Sequence, residues 1–257
     1  MNNAVGIIPA RWGSTRFPGK ALHLIAGKPL LQHVWERCRR AKTLERVIVA
    51  TDDMRIAEAA FDWGAEVALT SKRHVSGTDR VAEVAKAASR VSYIVNVQGD
   101  EPLIEPHLID ALVRALQDDR KLQMVTAAHP FKDSREVESP HQVKVVLDAQ
   151  SYALYFSRSA IPFLREKAAR ARFLRHQGIY AYRREFLLRY VAWKSTPLER
   201  AEALEQLRAL ENGVRIQVLV TRAGSPGVDT PKDVEMIERR LISKRGSAPV
   251  RNRKGAR

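Results

Sequence analysis

The first half of this 257-residue chain alternates short β-branched runs with stretches of helical period, and that alternation narrows the available folds more than any other feature. Runs at 5–8, 47–50, 67–69 and 93–97 read as strands, with helices at about 29–41, 53–62, 78–88 and 106–117. Turn residues such as Ala26-Gly27-Lys28-Pro29 and Trp63-Gly64-Ala65 punctuate the pattern. Strands joined through helices run parallel, and right-handed crossovers carry the loops that follow them to one edge of the sheet. That edge is where open α/β sheets hold ligands. The second half is less regular. Runs at 124–128, 143–147, 153–156 and 178–182 read as strands, several of them antiparallel; helices at about 184–192 and 198–211, a strand at 215–220 and a last helix near 231–242 follow. The pattern predicts an α/β fold: a Rossmann-like, mostly parallel sheet flanked by helices, with a smaller, partly antiparallel subregion. Neither a repeat nor a low-complexity linker divides the chain. One domain over 1–240 is expected, with a first part to about 128, a second over about 129–220 and a closing helix at about 231–242.

Net charge raises one rival. A formal +15 suits nucleic acid, but Lys244, Arg245, Arg251, Arg253, Lys254 and Arg257 supply six of those charges within 241–257, where no acid stands. Too poor in apolar residues to bury a core, 243–257 reads as a disordered, solvated tail; an anionic membrane surface or RNA would also suit its charge. The chain lacks the aromatic-interleaved basic stretches of single-strand binders and any recognisable nucleic-acid motif, so nucleic acid is not expected as its main partner. No apolar run approaches the ~18 residues of a membrane span, and Met1-Asn2-Asn3 passes into Ala4-Val5-Gly6 without a basic leader. A cytoplasmic location is the expectation. The single Cys38 cannot form an intrachain disulfide, and its spacing from Leu30, Leu31, Val34 and Trp35 sets it on the apolar face of a helix.

The first strand runs into Pro9-Ala10-Arg11-Trp12-Gly13-Ser14-Thr15-Arg16-Phe17-Pro18-Gly19-Lys20. Cations, hydroxyls and glycines gathered at a strand's C-terminal end make an anion cradle: small residues free backbone N–H groups, Arg offers a fork and Lys a point charge. A solvated basic turn is the plainer alternative. It is not a Walker A loop, because five residues separate Gly13 from Gly19 and Ala21 stands where Ser or Thr would ligate magnesium. Asp100, in Gln98-Gly99-Asp100-Glu101-Pro102 after the fourth strand, belongs at the same sheet edge. Magnesium takes one or two carboxylates together with phosphate oxygens and water, which makes Asp229 in Gly227-Val228-Asp229-Thr230-Pro231 the candidate second ligand. A helix cap suits Asp229 equally well. Arg73, Ser76, Gly77, Thr78, Asp79 and Arg80 form a polar turn entering a helix, fit to bond a pyrimidine or phosphate or simply to cap.

Together these segments resemble the 3-deoxy-manno-octulosonate (Kdo) cytidylyltransferases among the sugar nucleotidyltransferases. The resemblance continues through Thr51-Asp52, Val143-Lys144-Val145-Val146, Tyr155-Phe156-Ser157-Arg158, Arg175-His176-Gln177-Gly178-Ile179-Tyr180 and Leu204-Glu205-Gln206-Leu207-Arg208, covering about 1–240. It implies transfer of CMP from CTP to the anomeric hydroxyl of Kdo with release of pyrophosphate, Mg2+ as cofactor and a homodimer, the sugar being activated for lipopolysaccharide synthesis. By the same resemblance, Lys20, Asp100 and Asp229 are catalytic and the two aspartates hold the metal. Pro9, Ala10, Arg11, Ser14, Thr15, Arg16, Lys20, Arg73, Ser76, Gly77 and Thr78 bind the nucleotide; Gln98, Arg158, His176, Tyr180, Glu205 and Gln206 bind the sugar. The first part would be nucleotide-binding, and 129–220 would serve sugar binding and dimerisation. Taken singly, Tyr180 suits a core, His176 a satisfied loop histidine, and Glu205-Gln206 a solvated helix face. Trp12-Gly13, and Phe17 where Leu is usual, depart slightly from the family pattern. Transferases for 8-amino-Kdo or a sialic acid would share the phosphate loop and both aspartates, so only the sugar pocket separates them.

Overall fold

The computed structural model describes residues 3–13, 17–166 and 172–246, the side chains of 243–246 excepted. Ser14, Thr15 and Arg16, and the basic segment 247–257, lie outside the described residues. The first half supplies strands β1 (Ala4–Ala10), β2 (Leu24–Ile25), β3 (Lys28–Pro29), β4 (Leu44–Thr51), β5 (Glu66–Leu69) and β6 (Tyr93–Asn96). Its helices are α1 (Leu30–Cys38), α2 (Met54–Asp62), α3 (Gly77–Ala87) and α4 (Pro106–Asp118). The second half adds β7 (Met124–Pro130), β8 (Lys144–Leu147), β9 (Ala153–Ser157), β10 (Leu174–Arg183) and β11 (Ile216–Val220). Its helices are α5 (Arg184–Ala192), α6 (Pro197–Glu202), α7 (Gln206–Glu211) and α8 (Pro231–Gly246).

The main sheet runs β11-β7-β10-β6-β1-β4-β5, with β8 and β9 added beside β10. β5, β4, β1 and β6 pair in parallel, as do β7 and β11, and β10 lies antiparallel between the two sets. The β-branched runs therefore form the mostly parallel sheet that their alternation with helices implies. One face buries Leu31, Val34 and Trp35 of α1, Ile56 of α2 and Leu108, Leu112 and Val113 of α4. The other buries Val81, Val84 and Ala85 of α3 together with Phe186, Leu187 and Tyr190 of α5. Cys38 is fully buried on α1, and burial pushes its thiol pKa up, as suits a structural thiol. Chain order departs from β1 toward β4 and β5, then returns to β6 on the opposite side of β1. That reversal opens a crevice at the carboxyl ends of β1 and β6.

A third cluster joins Ile25 and Leu30 to Leu103, Val228, Val234 and Ile237, packing α8 against the β2–β3 hairpin. The hairpin turn needs left-handed backbone at Ala26 (φ 49°) and Gly27 (φ 80°), and the glycine adopts it without strain. Removing Ile237 to Ala would cost about 2–5 kcal/mol through transfer and cavity terms, and would loosen the loop that carries Asp229. Among the described residues no helix is long and apolar enough to cross a membrane.

Three departures from the sequence reading bear on the site and its flanks. The helix at 198–211 is two helices, broken where Ala203 turns left-handed at φ 51°. Every residue across that break is a good helix former, so local propensity opposes it; burial of Leu204 and Leu207, and a 2.6 Å hydrogen bond from Tyr190 Oη to the Glu205 carbonyl, override it. The strand at 178–182 begins at Leu174, and a register shift between Gln177 and Tyr180 hides its continuity. The closing helix continues past 242 to Gly246, so the basic segment starts on a helix.

Candidate active site

A cavity of about 370 Å3 occupies the crevice and is lined by Pro9, Ala10, Arg11, Lys20, Ser76, Gly77, Gln98, Asp100, Glu205 and Asp229. β1 delivers Pro9 to Arg11, β6 delivers Gln98 to Asp100, and the start of α8 delivers Asp229. Lys20 holds these loops together. Its Nζ donates to Asp100 Oδ2 at 2.6 Å and to the Val228 carbonyl at 2.9 Å, and lies 3.7 Å from Asp229 Oδ1. A 2.9 Å bond from the Val228 N–H to the Asp100 carbonyl closes the same junction. Gly19 reaches Lys20 through φ 69°, a conformation that strains any other residue, and a Cβ there would press on the Trp12 ring at 3.2 Å. The Arg55 guanidinium covers Trp12 at 3.5 Å and fixes the loop from outside.

Asp229 and Asp233 divide two tasks that the sequence leaves joined in one residue. The Asp233 carboxylate accepts the N–H groups of Asp229 (3.0 Å) and Thr230 (2.8 Å) and the Thr230 hydroxyl (2.9 Å). With Asp233 capping the helix, the Asp229 carboxylate is turned to Lys20. Side-chain exposures of 33% for Asp100 and 57% for Asp229 keep both open to solvent. Two carboxylates beside a basic loop match what a hard cation requires when phosphate oxygens and water complete its shell. Among the described residues no group of three or more His, Cys, Asp or Glu could hold a metal unaided. Glu101 does not line this cavity. Burial raises its pKa to about 8, and it accepts a 2.7 Å bond from Gln177 Nε2 away from the cavity.

At the entrance to α3, Ser76 and Asp79 form a reciprocal capping box, and Ser76 and Gly77 also line the cavity. The capping and binding accounts of this turn therefore coexist. Gly77 lies against Pro9, where a Cβ would sit in ordinary contact 3.4 Å from the ring. Arg73 is exposed and outside the lining. Arg80, 4% exposed, lines the cavity instead, hydrogen-bonded to the Thr70 hydroxyl and 3.3 Å from Asp52. Arg80 belongs to the polar turn that the sequence marks as fit to bond a pyrimidine or phosphate, and its position one helical turn after Ser76 keeps the two on one side of α3. His74, bonded to Glu83, lines the cavity too and stands outside the sequence-derived set.

A smaller cavity of about 230 Å3 shares Gly77, Gln98 and Glu205 with the first and adds Thr78, Asn96, Gly178, Tyr180 and Gln206. Gln98 donates to the Gly178 carbonyl at 3.1 Å, joining the β6 loop to β10. Burial raises the pKa of Glu205, against hydrogen bonds from Thr78 and Ser76 that lower it. The break after α6 turns Glu205 and Gln206 inward, where an unbroken helix would have left a solvated face. Two residues expected at the sugar end do not line either cavity. Arg158 Nε donates to the Glu202 carbonyl at 2.7 Å, while its terminal nitrogens donate to Pro140 at 3.0 Å and Ala203 at 3.3 Å. Its charge is committed to holding backbone, including the Ala203 turn. His176 lies 2.9 Å from the Thr126 hydroxyl with Phe156 and Tyr180 against its ring, and burial lowers its pKa to about 3.

A family model described as cytidylyltransferase matches residues 5–216. The chain is 50% identical over 249 residues to a 3-deoxy-manno-octulosonate cytidylyltransferase of Geobacter sulfurreducens, covering 93% of this chain and 99% of that protein. It is 52% identical over 235 residues to the protein of that name from Solibacter usitatus, covering 91% and 93%. A solved CMP:2-keto-3-deoxy-manno-octonic acid synthetase complexed with CTP superposes with a TM-score of 0.90 at 42% identity, over 94% of this chain and 99% of that one.

Proposed function

This chain belongs to the cytidylyltransferase family, with relatives named 3-deoxy-manno-octulosonate cytidylyltransferase matched over more than nine-tenths of its length, and from that premise we propose that it makes CMP-Kdo. The anomeric hydroxyl oxygen of Kdo bonds to the α-phosphorus of CTP, the bond to the bridging oxygen of the β-phosphate breaks, and pyrophosphate leaves. The product is Kdo activated for lipopolysaccharide synthesis. The observation that carries this reading is the junction at Lys20, where loops following β1 and β6 and preceding α8 converge beside an anion cradle.

Each residue's part follows from its place. Arg11 and Lys20 bring positive charge to the polyphosphate, and Lys20, oriented by Asp100 and the Val228 carbonyl, offsets charge building on the leaving pyrophosphate. Asp100 and Asp229 would hold magnesium, which supplies neutralisation of phosphate charge and a lowered pKa for the attacking hydroxyl. Pro9, Ala10, Ser76 and Gly77 form the wall available to the cytosine and ribose. Gln98, Tyr180, Glu205 and Gln206 face the adjoining sugar cavity and fix the nucleophile's approach.

The enzyme acts, on this reading, in the cytoplasm as a homodimer. Phe163, 88% exposed, and Leu164, 36% exposed, present apolar surface in the 129–220 part and support such a contact. Pyrophosphate release from CTP and magnesium, measured with Kdo, 8-amino-Kdo and a sialic acid, tests the function. Release dependent on Kdo is expected, and release with CTP that no acid sugar stimulates would refute it.

A further inference from the structure

Two side chains of the smaller cavity carry polar atoms that nothing among the described residues satisfies. Asn96 is 1% exposed with an unpartnered Oδ1, and Gln206 is 5% exposed with an unpartnered Nε2. Buried amides are nearly always bonded, and an orphaned one marks a place that a ligand or water completes. Asn96 is the last residue of β6, a strand paired on both sides, and the residues around it are Ile94, Val95 and Val97. Strand alternation puts it on the face of Ile94 rather than that of Val95, toward α3 and α5. An apolar residue would serve the sheet better there. The phosphate and metal chemistry gives Asn96 no task.

We propose that Asn96 determines sugar specificity, its Oδ1 accepting a hydrogen bond from one hydroxyl of the acid sugar while Gln206 Nε2 donates to the same hydroxyl. The inference rests on the reading that an acid sugar enters this cavity. A hydroxyl both donates and accepts, so it satisfies an orphan acceptor and an orphan donor together. An ammonium only donates and would face the Gln206 amide with nothing to offer it. A deoxy position satisfies neither and leaves both amides buried and unpaired, the situation in which hydrogen-bonding sites discriminate most strongly. The pair therefore selects hydroxyl over amino or hydrogen at one carbon of the sugar.

The test is Asn96→Leu, which keeps the volume and removes the amide, compared with wild type on Kdo and on singly deoxygenated Kdo analogues, with the CTP dependence and melting temperature measured alongside. We expect the apparent KM for Kdo to rise tenfold or more while that for CTP stays within twofold. One analogue, which the wild type uses at least tenfold less well than Kdo, should be used by Asn96→Leu about as well as Kdo. Gln206→Leu should lose discrimination against that same analogue. An unchanged KM for Kdo, an equal rise in both KM values, or a uniform fall across all analogues would overturn the assignment. If Asn96→Leu does not fold, Asn96→Ser and Gln206→Leu decide by the same analogue pattern. A wild type that never uses Kdo refutes the functional reading; a wild type that does, with variants keeping its analogue pattern, refutes this inference alone.

Discussion

On the proposed reading, the two ends of the crevice recognise their ligands by different means. At the phosphate end Lys20, Asp100 and Asp229 are charged, paired with one another and partly solvated, on loops that three distant segments bring together. At the sugar end Asn96, Gln206 and Tyr180 are neutral groups on regular elements, two of them almost wholly buried, beside Glu205, whose carboxyl burial pushes toward its neutral form. The difference teaches where each chemistry can be built. Charges beside water cost little to hold and are strengthened when a polyphosphate excludes solvent, so loops suffice. Neutral groups that must discriminate one hydroxyl need a dry, fixed frame, and the sheet supplies it.

Substitutions should therefore separate by what they damage. Asp100→Asn should cause the largest loss, with turnover falling roughly 10³-fold while circular dichroism and melting stay near wild type, because charge neutralisation carries most of the rate. Wild-type pyrophosphate release by this variant would erase the phosphate end as described. Lys20→Ala should raise the apparent KM for CTP by roughly tenfold to a hundredfold, with a fall in turnover and little change in the KM for Kdo, since it removes a cation aimed at the polyphosphate. Varying each substrate in turn measures this, and an equal rise for both would blur the division.

Arg158→Ala should act on stability rather than on either substrate directly. Losing bonds to three carbonyls should destabilise the fold by about 1–2 kcal/mol in urea unfolding, since part of that guanidinium is exposed. A rise in the Kdo KM without loss of stability would return Arg158 to the sugar site. The smallest effect concerns His176, whose folded pKa of about 3 lies below the ordinary 6.5. The unfolded chain takes up a proton below pH 6.5 that the folded protein refuses until about pH 3, so this stabilising contribution is complete above 6.5 and shrinks as pH falls. His176→Phe should flatten the acid-side loss of stability by on the order of 1 kcal/mol between pH 6.5 and 5. Parallel wild-type and variant curves over that interval would show that His176 does not titrate as its burial requires.

Legibility in the sequence followed the same division. The phosphate loop and Asp100 could be placed because each is a contiguous motif directly after a β-branched run, and a parallel sheet sends both to one edge. By spacing alone Asp229 suits a cap and a ligand equally, and only the family resemblance favours the ligand; the structure shows Asp233 taking the cap and the Asp229 carboxylate turned to Lys20. The sugar end was harder. Nothing in Arg200-Ala201-Glu202-Ala203-Leu204-Glu205 marks a helix break, because buried contacts from Tyr190 and Leu204 impose it against propensity. Arg158 reads as a sugar-binding cation until its three carbonyl partners are visible, whereas Arg80, read as part of a polar turn fit to bond a pyrimidine or phosphate, does reach the cavity wall.

The most direct test of a single centre formed by Lys20, Asp100 and Asp229 is a double-mutant cycle in the Kdo- and CTP-dependent reaction. Single turnover should be measured for Asp100→Asn, Asp229→Asn and the double variant, each checked for folding. Residues that act as a unit are strongly non-additive, so we expect each single substitution to cost nearly as much as the pair. A double variant slower than either single one by the product of their separate effects would show that the two aspartates act independently, and would contradict the shared centre.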